Sequence, residues 1–345
     1  MKSAPVTLGI VNYNGIEVLS ETLRCAYASN PAPASVLVVD NGSTDGSVDG
    51  IEDRYPGLRL IVLSENRGAA MARNRLLTEA ETELVMLLDN DISLQTDTLG
   101  LLTEFMSQNP QAGACHPEID DPNDPDAYHY NGGSIHYLGA LIARDKPGAV
   151  EDRPEAERFV TVSGAALMVR KSLALSLGGM DADYFFNWED GDFTCRLTLA
   201  GHPCYNIPAA RVLHRAKPRG TSKAFYQVRN RWHFMLKLYG LRTLILMTPA
   251  LLLFELLQMI LLHGKGAGLQ YWRANLAVIR ELPRIRTKRK TFATCKLIPD
   301  RDWLTVGTMY LPPSFQSRHF LNCCLQFMNA FFAFYWKCIR SFCSR

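Results

Sequence analysis

The stretch Leu84 to Ile92 (LVMLLDNDI) constrains the fold more than any other part of the chain. Five apolar residues stop abruptly at two carboxylates, Asp89 and Asp91, one residue apart. A short continuous apolar run reads as a strand buried on both faces, the pattern of a parallel sheet covered by helices. In open α/β sheets, ligands bind just beyond the carboxyl ends of such strands. Two hard oxygen ligands at that place suit a divalent cation, and a cation suits a phosphate-bearing ligand. A solvated turn uses the same residue types, so the stretch alone leaves both readings open.

The flanking sequence repeats the pattern. Val6 to Tyr13 reads as a first strand, and Ile16 to Ala28 as a helix with apolar residues at Ile16, Leu19, Leu23 and Ala26. Ser35 to Val39 is a second buried strand ending at Asp40, followed by the turn-rich Asn41 to Ser47 and a short helix. Leu58 to Leu63 is a third strand; Asn66-Arg67-Gly68 then opens a helix over Ala69 to Glu79. A further helix is expected over Thr96 to Gln108. Strand–helix alternation of this kind predicts a doubly wound α/β sheet. Three of the four strand ends are polar (Asn12 to Asn14, Asp40 and Asp89), which lines them up at one sheet edge.

Composition narrows the function classes. The hydrophobic share is 47% of 345 residues, enough for a sizeable core, and the net charge of +3 does not indicate a nucleic-acid binder. Nine cysteines form no CxxC pair, so neither a zinc site nor a disulfide scaffold is expected, and a reducing compartment fits. The start, Met1 to Pro5, lacks a signal-peptide pattern, which places the expected catalytic part in the cytosol. No GxGxxG follows the first strand and no GxxxxGK[ST] occurs, which argues against an NAD-type site or a P-loop. Asp40 is placed either to take a nucleoside hydroxyl or base edge, or to cap a turn.

From Cys115 to Phe159 the pattern fades into a long Asp-, Pro- and Gly-rich stretch, and loops of that length usually carry function or move. Val160 to Val169 restores strand character, with Ser163-Gly164-Ala165 as a small-residue interruption where a ligand can approach closely. A helix from Lys171 stops at Gly178-Gly179. Then come Phe185-Phe186-Asn187-Trp188-Glu189-Asp190-Gly191-Asp192 and an apolar helix, Phe193 to Ala200. Asp192 suits a helix cap, but three carboxylates beside three aromatics exceed what a cap requires. Aromatic neighbours desolvate a carboxylate and raise its proton affinity, which suits a general base. A short strand, Cys204 to Ile207, leads on to His214; a lone histidine is more often structural than a ligand.

In order and spacing, VVDNGSTDGS (Val38 to Ser47), NRGAAMARN (Asn66 to Asn74), LLDNDI (Leu87 to Ile92), SGAALMVR (Ser163 to Arg170), GGMDADYFFNWEDGDFTCRL (Gly178 to Leu197) and His214 resemble family 2 glycosyltransferases of GT-A fold, and their wording is similar to the rhamnosyltransferase branch. The resemblance covers Val6 to Arg215 and implies a Rossmann-like, mostly parallel α/β sheet. It implies a donor side of Asp40, Asn12, Asn14, Asn66 and Asp89, and an Asp89–Asp91 pair in which Asp91 ligates a metal. Arg73 and Arg170 are expected either near the donor phosphates or on the surface. Asp190 is the implied catalytic base, His214 a further metal ligand, and Gly164, Trp188 and Glu189 the acceptor side. One imidazole plus carboxylate and diphosphate oxygens suits Mn²⁺, with Mg²⁺ as substitute. The implied reaction moves a sugar, rhamnose from dTDP-rhamnose by the branch likeness, with inversion onto a hydroxyl.

From Leu241 the composition changes, and two regions are expected: a catalytic domain over 1–235 and a hydrophobic, basic helical region over 236–345. Leu241 to Leu262 is long enough to span a bilayer. Pro249, Glu255 and Gln258 lie inside it, and basic residues flank it on both sides: Arg229, Arg231 and Lys237 before, Arg280 to Lys290 after. Both clusters stay cytosolic if the segment lies in the membrane plane or re-enters, so that arrangement is favoured over a span. The cluster after it then meets anionic headgroups or a lipid diphosphate. Phe320 to Phe342 reads as an interfacial helix or one packed on the hydrophobic segment, with Cys323 and Cys324 as buried hydrophobes or lipidation sites. A peripheral or monotopic enzyme at the cytoplasmic face, with a lipid-linked glycan acceptor, is the expected whole. Two other readings compete: a sugar-nucleotide pyrophosphorylase, which needs a basic loop that Asn12-Tyr13-Asn14-Gly15 does not supply, and a non-catalytic membrane scaffold.

Overall fold

The computed structural model describes residues 3–122, 131–143, 152–215, 223–308 and 319–344, with side chains in the last segment from residue 325 onward. Much of the Asp/Pro-rich stretch after Asp121, and the side chains of Cys323 and Cys324, lie outside the described residues. The chain divides into two compact units: Met1–Gly132 with Arg144–Pro218, and Gly133–Ala143 with Arg219–Arg345.

The first unit is built on a mixed nine-stranded sheet. Its strands are β1 (Ala4–Asn12), β2 (Pro33–Asp40), β3 (Leu58–Val62), β4 (Leu84–Asp89), β5 (Ile92–Leu94), β6 (Ala114–Asp120), β9 (Glu157–Phe159), β10 (Ala166–Arg170) and β11 (Cys204–His214). The order is β3-β2-β1-β4-β10-β6-β11-β5, with β9 also paired to β11. The β3-β2-β1-β4 half is parallel, whereas β10 runs antiparallel to both β4 and β6. Alternation along the strands sorts the core onto two faces. Val6, Leu8 and Ile10, Val36 and Val38, Met86 and Leu88 join one cluster; Val11, Leu37, Val39, Val85 and Leu87 join the other.

Helices cover both faces. On the first lie α1 (Leu19–Tyr27) and α4 (Thr98–Gln108), through Leu19, Leu23, Leu99 and Leu102. On the second lie α3 (Ala69–Glu79), α5 (Lys171–Ser176) and α6 (Glu189–Leu199), through Leu76, Ala174 and Phe193. A Cβ on Gly9 of β1 would stand 3.0 Å from Leu76 Cδ2, so the glycine leaves the room in which α3 seats. A four-residue helix, α2 (Ile51–Arg54), follows the turn after β2.

Several sequence expectations change here. Ile16 is exposed and precedes α1, which starts only at Leu19. The run from Val160 to Val169 is not one strand: β10 begins at Ala166, and Ser163 to Ala165 form its entry. Helix α6 begins at Glu189, four residues early, so Glu189, Asp190 and Asp192 all lie in its first turn. The strand expected to stop at Ile207 instead continues as β11 to His214, and a register shift between Ile207 and Arg211 absorbs Pro208.

The second unit contains α7 (Ala224–Leu238), α8 (Leu241–Gly264), α9 (Gly268–Ala293), α10 (Asp300–Trp303) and α11 (His319–Ile339). A small sheet in the same unit pairs β7 (Gly133–His136) with β8 (Leu141–Ala143) and with β12 (Leu304–Thr305). Helix α8 is long and apolar enough to cross a membrane by length and composition, and it remains one helix through Pro249. The Tyr335 hydroxyl of α11 donates to the Leu246 carbonyl of α8, so α11 packs on the hydrophobic segment.

Leu76 is fully buried between α3 and the sheet. Leu76→Ala is expected to cost about 2–5 kcal/mol of unfolding free energy in a urea titration. A loss below about 1 kcal/mol would show that α3 is not seated as described.

Candidate active site

The polar strand ends meet at one edge of the first unit. Asn12 ends β1 directly opposite Asp40 of β2, and Val11 lies opposite Asp89 of β4. Asn12 is fully buried and its amide donates to Asp40 Oδ1 (2.8 Å) and to the Ser47 hydroxyl (2.9 Å). The Asn90 amide donates to Asn12 Oδ1 at 2.8 Å, and the Thr22 hydroxyl of α1 donates to the Asn90 carbonyl at 2.7 Å. The middle residue of the Asp-Asn-Asp turn is thus pinned to the sheet, which leaves its two aspartates facing away. Gly15 makes this possible: a Cβ there would sit 2.3 Å from the Asn90 amide nitrogen.

Asp40 is buried and accepts from the Ser43 backbone N–H (2.9 Å) and hydroxyl, which forms the turn the sequence allowed. Asn14, exposed and at φ 49°, accepts from Thr44 N–H and braces the same turn. Asn66 Oδ1 accepts from the Asn41 amide (3.0 Å) and from Gly68 N–H (2.9 Å), fixing the entry to α3.

Asp91 and His214 come together through strand pairing. β5 runs antiparallel to the end of β11, with Ile92 opposite His214, and Arg215 N–H donates to the Asp91 carbonyl. His214 Nε2 lies 3.2 Å from Asp91 Oδ1. The ligand atoms of Asp89, Asp91 and His214 all fall within 4.8 Å of one another. Asp91 Oδ1 is sealed from solvent without a hydrogen bond of good geometry. Octahedral ligands at about 2.1 Å from a cation lie about 3 Å apart at neighbouring corners. The orphaned oxygen and its imidazole neighbour therefore fit a divalent cation.

Asp190 reaches the same edge through β10. Asp89 N–H donates to the Ala165 carbonyl, and the adjacent Gly164 N–H donates to Asp190 Oδ2 at 3.0 Å. Gly191 N–H donates to Asp190 Oδ1 at 2.7 Å. A Cβ on Gly164 would approach Asp190 Cβ to 2.5 Å, so the small residue is required by the aspartate itself. Ahead of α6, Phe185, Asn187 and Trp188 all adopt positive φ (56°, 68° and 74°), backbone conformations that cluster at functional sites. The Phe185 carbonyl accepts from Ala69 N–H, and a Cβ on Gly68 would stand 2.4 Å from that oxygen, which docks the loop on the start of α3.

Arg73 is neither on the surface nor free to meet phosphates. It is 3% exposed, and its guanidinium pairs with Asp89 and, at 3.1 Å, with Glu189. Arg170 instead donates to the Met106 and Asn109 carbonyls at the end of α4. Asp192 is fully buried, bonded by Arg196 and the Tyr184 hydroxyl, a structural role. The raised proton affinity expected beside the aromatics falls on Glu189, whose carboxyl is pushed up to about 7, first by burial and then by the Asp190 charge, with Arg73 opposing. Burial also raises Asp89. Arg73 pairs with Asp89 and Glu189, which among the described residues leaves the Asp91 and Asp190 carboxylates at this edge without a guanidinium of their own, a charge balance that favours a further cation. Sequence reasoning missed Thr22, Ser43 and Ser47. Ser43 and Ser47 lie inside the VVDNGSTDGS motif, and Thr22 one position before Leu23 on the inward face of α1, so each had a signal that was given no role.

A family profile described as "Glycosyl transferase family 2" matches residues 7–174. An N-acetylglucosaminyl-diphospho-decaprenol L-rhamnosyltransferase of Mycobacterium tuberculosis (strain CDC 1551 / Oshkosh) is 32% identical over 227 residues, 59% of this chain and 74% of that protein. A poly-beta-1,6-N-acetyl-D-glucosamine synthase of Staphylococcus epidermidis is 29% identical over 179 residues, 50% of this chain and 40% of that protein. Among solved structures, the mannosyltransferase PcManGT from Pyrobaculum calidifontis, in complex with GDP-Man and Mn2+, has 17% identity and a TM-score of 0.54, covering 99% of this chain and 88% of that one. GalNAc-T7 with UDP, GalNAc and Mn2+ has 15% identity and a TM-score of 0.57; the match covers 68% of this chain and about half (48%) of that one. At these identities the two structures share the fold.

Glu189 supplies a test of the buried charge cluster. The folded chain keeps this carboxyl protonated toward pH 7, whereas the unfolded chain releases the proton near the ordinary 4.5. Folding takes up a proton between those values, so this group's contribution to stability falls as pH rises through the window. Glu189→Gln keeps the shape and removes the titration. The melting temperature of wild type minus variant is expected to decline between about pH 5 and pH 7.5. A difference that stays constant with pH would contradict the raised proton affinity.

Proposed function

The chain belongs to glycosyltransferase family 2, and on that premise we propose that it is a metal-dependent, inverting glycosyltransferase that acts on a lipid-linked glycan. The observation that carries the reading is the convergence, at one sheet edge, of Asp89, Asp91 and His214 with Asp190. The family assignment weighs against the pyrophosphorylase alternative, and the retained carboxylates and imidazole weigh against a non-catalytic scaffold.

In this reading the donor is a nucleotide-diphospho-sugar. Asn12, Asn14, Asp40 and Asn66 shape the nucleoside side of the edge, and Asp89, held by Arg73, faces the ribose or sugar. Arg73 acts on the donor through Asp89 instead of touching phosphate. Asp91 and His214 would hold Mn²⁺ or Mg²⁺. Such an ion, when bound, supplies Lewis-acid stabilisation of the charge that develops on a departing nucleoside diphosphate. The M. tuberculosis relative, an L-rhamnosyltransferase whose name gives a diphospho-decaprenol-linked acceptor, supports L-rhamnose as the sugar and an acceptor carried on a polyprenyl diphosphate; dTDP-rhamnose is the donor of this proposal. A carrier of that kind suits a peripheral or monotopic protein at the cytoplasmic face of an anionic membrane.

Asp190 takes the proton from the acceptor hydroxyl. Its two oxygens are aimed by the Gly164 and Gly191 N–H groups, so no reorientation is needed as the proton arrives. Attack opposite the leaving group inverts the anomeric carbon, and holding the two substrates together lowers the barrier further. Trp188 and the Gly164 segment border the acceptor side, and buried Glu189 tethers the start of α6 to Arg73.

The test is a donor screen by nucleoside-diphosphate release with a lipid-diphosphate glycan acceptor, with and without manganese. Metal-dependent release is expected, greatest with dTDP-rhamnose; release from no nucleotide sugar would overturn the reading. Asp190→Asn is expected to lower turnover about 10²–10⁴-fold while donor affinity holds. Undiminished turnover would remove Asp190 as the base.

A further inference from the structure

Two long helices of the second unit turn apolar residues outward. On α8, Leu241, Ile245, Leu252, Leu256 and Ile260 are each between 49% and 66% exposed. On α9, Leu269, Trp272, Leu276 and Ile279 are between 46% and 63% exposed, spaced as one helical stripe. Isolated exposed leucines need no explanation, but rows of them along adjoining helices do. The opposite side of α8 is covered: Thr243, Met247, Ala250 and Leu251 are buried.

Charge identifies what covers the outward side. Arg273 and Arg280 are exposed, and at 100° per residue they fall along one border of the α9 stripe. Arg284, Arg286, Lys288, Arg289 and Lys290 follow them on the same helix. The single acidic residue of α9, Glu281, is half-buried and tied to Arg229 and His233 of α7. The outward face of α9 therefore carries cations beside hydrocarbon and no anion. Arginine stems lying on apolar surface with their heads reaching outward suit the boundary between headgroups and acyl chains.

The same contacts decide how α8 meets a bilayer. Glu255, in the second half of α8, pairs with Arg231 of α7 and accepts from the Tyr271 hydroxyl of α9 at 3.0 Å. The Arg231 guanidinium also lies 4.7 Å from the Phe254 ring centroid. Helix α7 carries buried Arg229, Arg231, His233 and Lys237, a composition that hydrocarbon does not accept. A helix bound along one side to such a partner cannot be surrounded by lipid. Only its outward face is open to it.

We infer that the outward faces of α8 and α9 form a monotopic docking surface for an anionic lipid bilayer, with α8 lying in the interfacial plane instead of crossing. The inference deepens the reading of a membrane-borne acceptor and rests on it for its purpose. Its test reads lipid binding without turnover, so either can fail while the other stands.

The full chain is mixed with vesicles of phosphatidylcholine alone or with added phosphatidylglycerol, and binding is read by co-sedimentation. Tighter binding to the anionic vesicles is expected, with both chain ends open to protease added outside them. The double variant Arg273→Gln/Arg280→Gln should bind the anionic vesicles about 30-fold more weakly. Leu276→Glu/Ile279→Glu should bind neither vesicle. Circular dichroism and melting temperature, unchanged in both variants, exclude misfolding as the cause. Equal binding to both vesicles, protection of one chain end from external protease, or wild-type binding by folded variants would each overturn the inference.

Discussion

The candidate site depends on the antiparallel pairing of Ile92–Leu94 with Val212–His214. These short segments close the far edge of the sheet; one directly follows Asp91 and the other ends on His214. Without the pairing, Asp91 would sit in a polar turn and His214 at a loose strand end. With it, one carboxylate oxygen and one imidazole nitrogen stand 3.2 Å apart. The register shift near Pro208 keeps β11 paired through to His214, so the irregularity serves the site.

The second dependence is electrostatic. Three elements contribute carboxylates to one edge, and the buried guanidinium of Arg73 ties β4 to α6 through Asp89 and Glu189. Arg73 serves Asp89 and Glu189, burial lifts the proton affinity of both, and Asp91 and Asp190 remain at the edge with no arginine paired to them among the described residues. Such an edge is poised to take up a cation. The glycines around it, Gly15, Gly68 and Gly164, mark where backbone or side chain approaches too closely for a Cβ.

Much of this was legible in the sequence because it follows from local periodicity. Helix Ala69–Glu79 stands where the Asn66-Arg67-Gly68 opening placed it, and strand Leu84–Asp89 where its continuous apolar run placed it. The motifs carried the family and the fold. What escaped was set by tertiary pairing. β5 is three residues long and has no pattern of its own; β11 passes through a proline that argues against a strand. Ile16 fits the helical spacing yet lies outside the helix. Arg73 has the composition of a surface or phosphate-binding residue, and only the fold reveals its two buried partners.

In the second unit, the hydrophobic segment and its basic neighbours were visible as composition, but the side of α8 that faces protein was not. The Glu255–Arg231 pair supplies that orientation. Because the active edge is built wholly within the first unit, its chemistry can be examined without membranes. The most direct measurement is pulsed electron paramagnetic resonance of manganese bound together with a nucleoside diphosphate. A hyperfine coupling to a histidine nitrogen, abolished in His214→Ala while the manganese signal from bound nucleotide persists, is the expected result. Manganese bound tightly with no nitrogen coupling would contradict a cation held by Asp91 and His214.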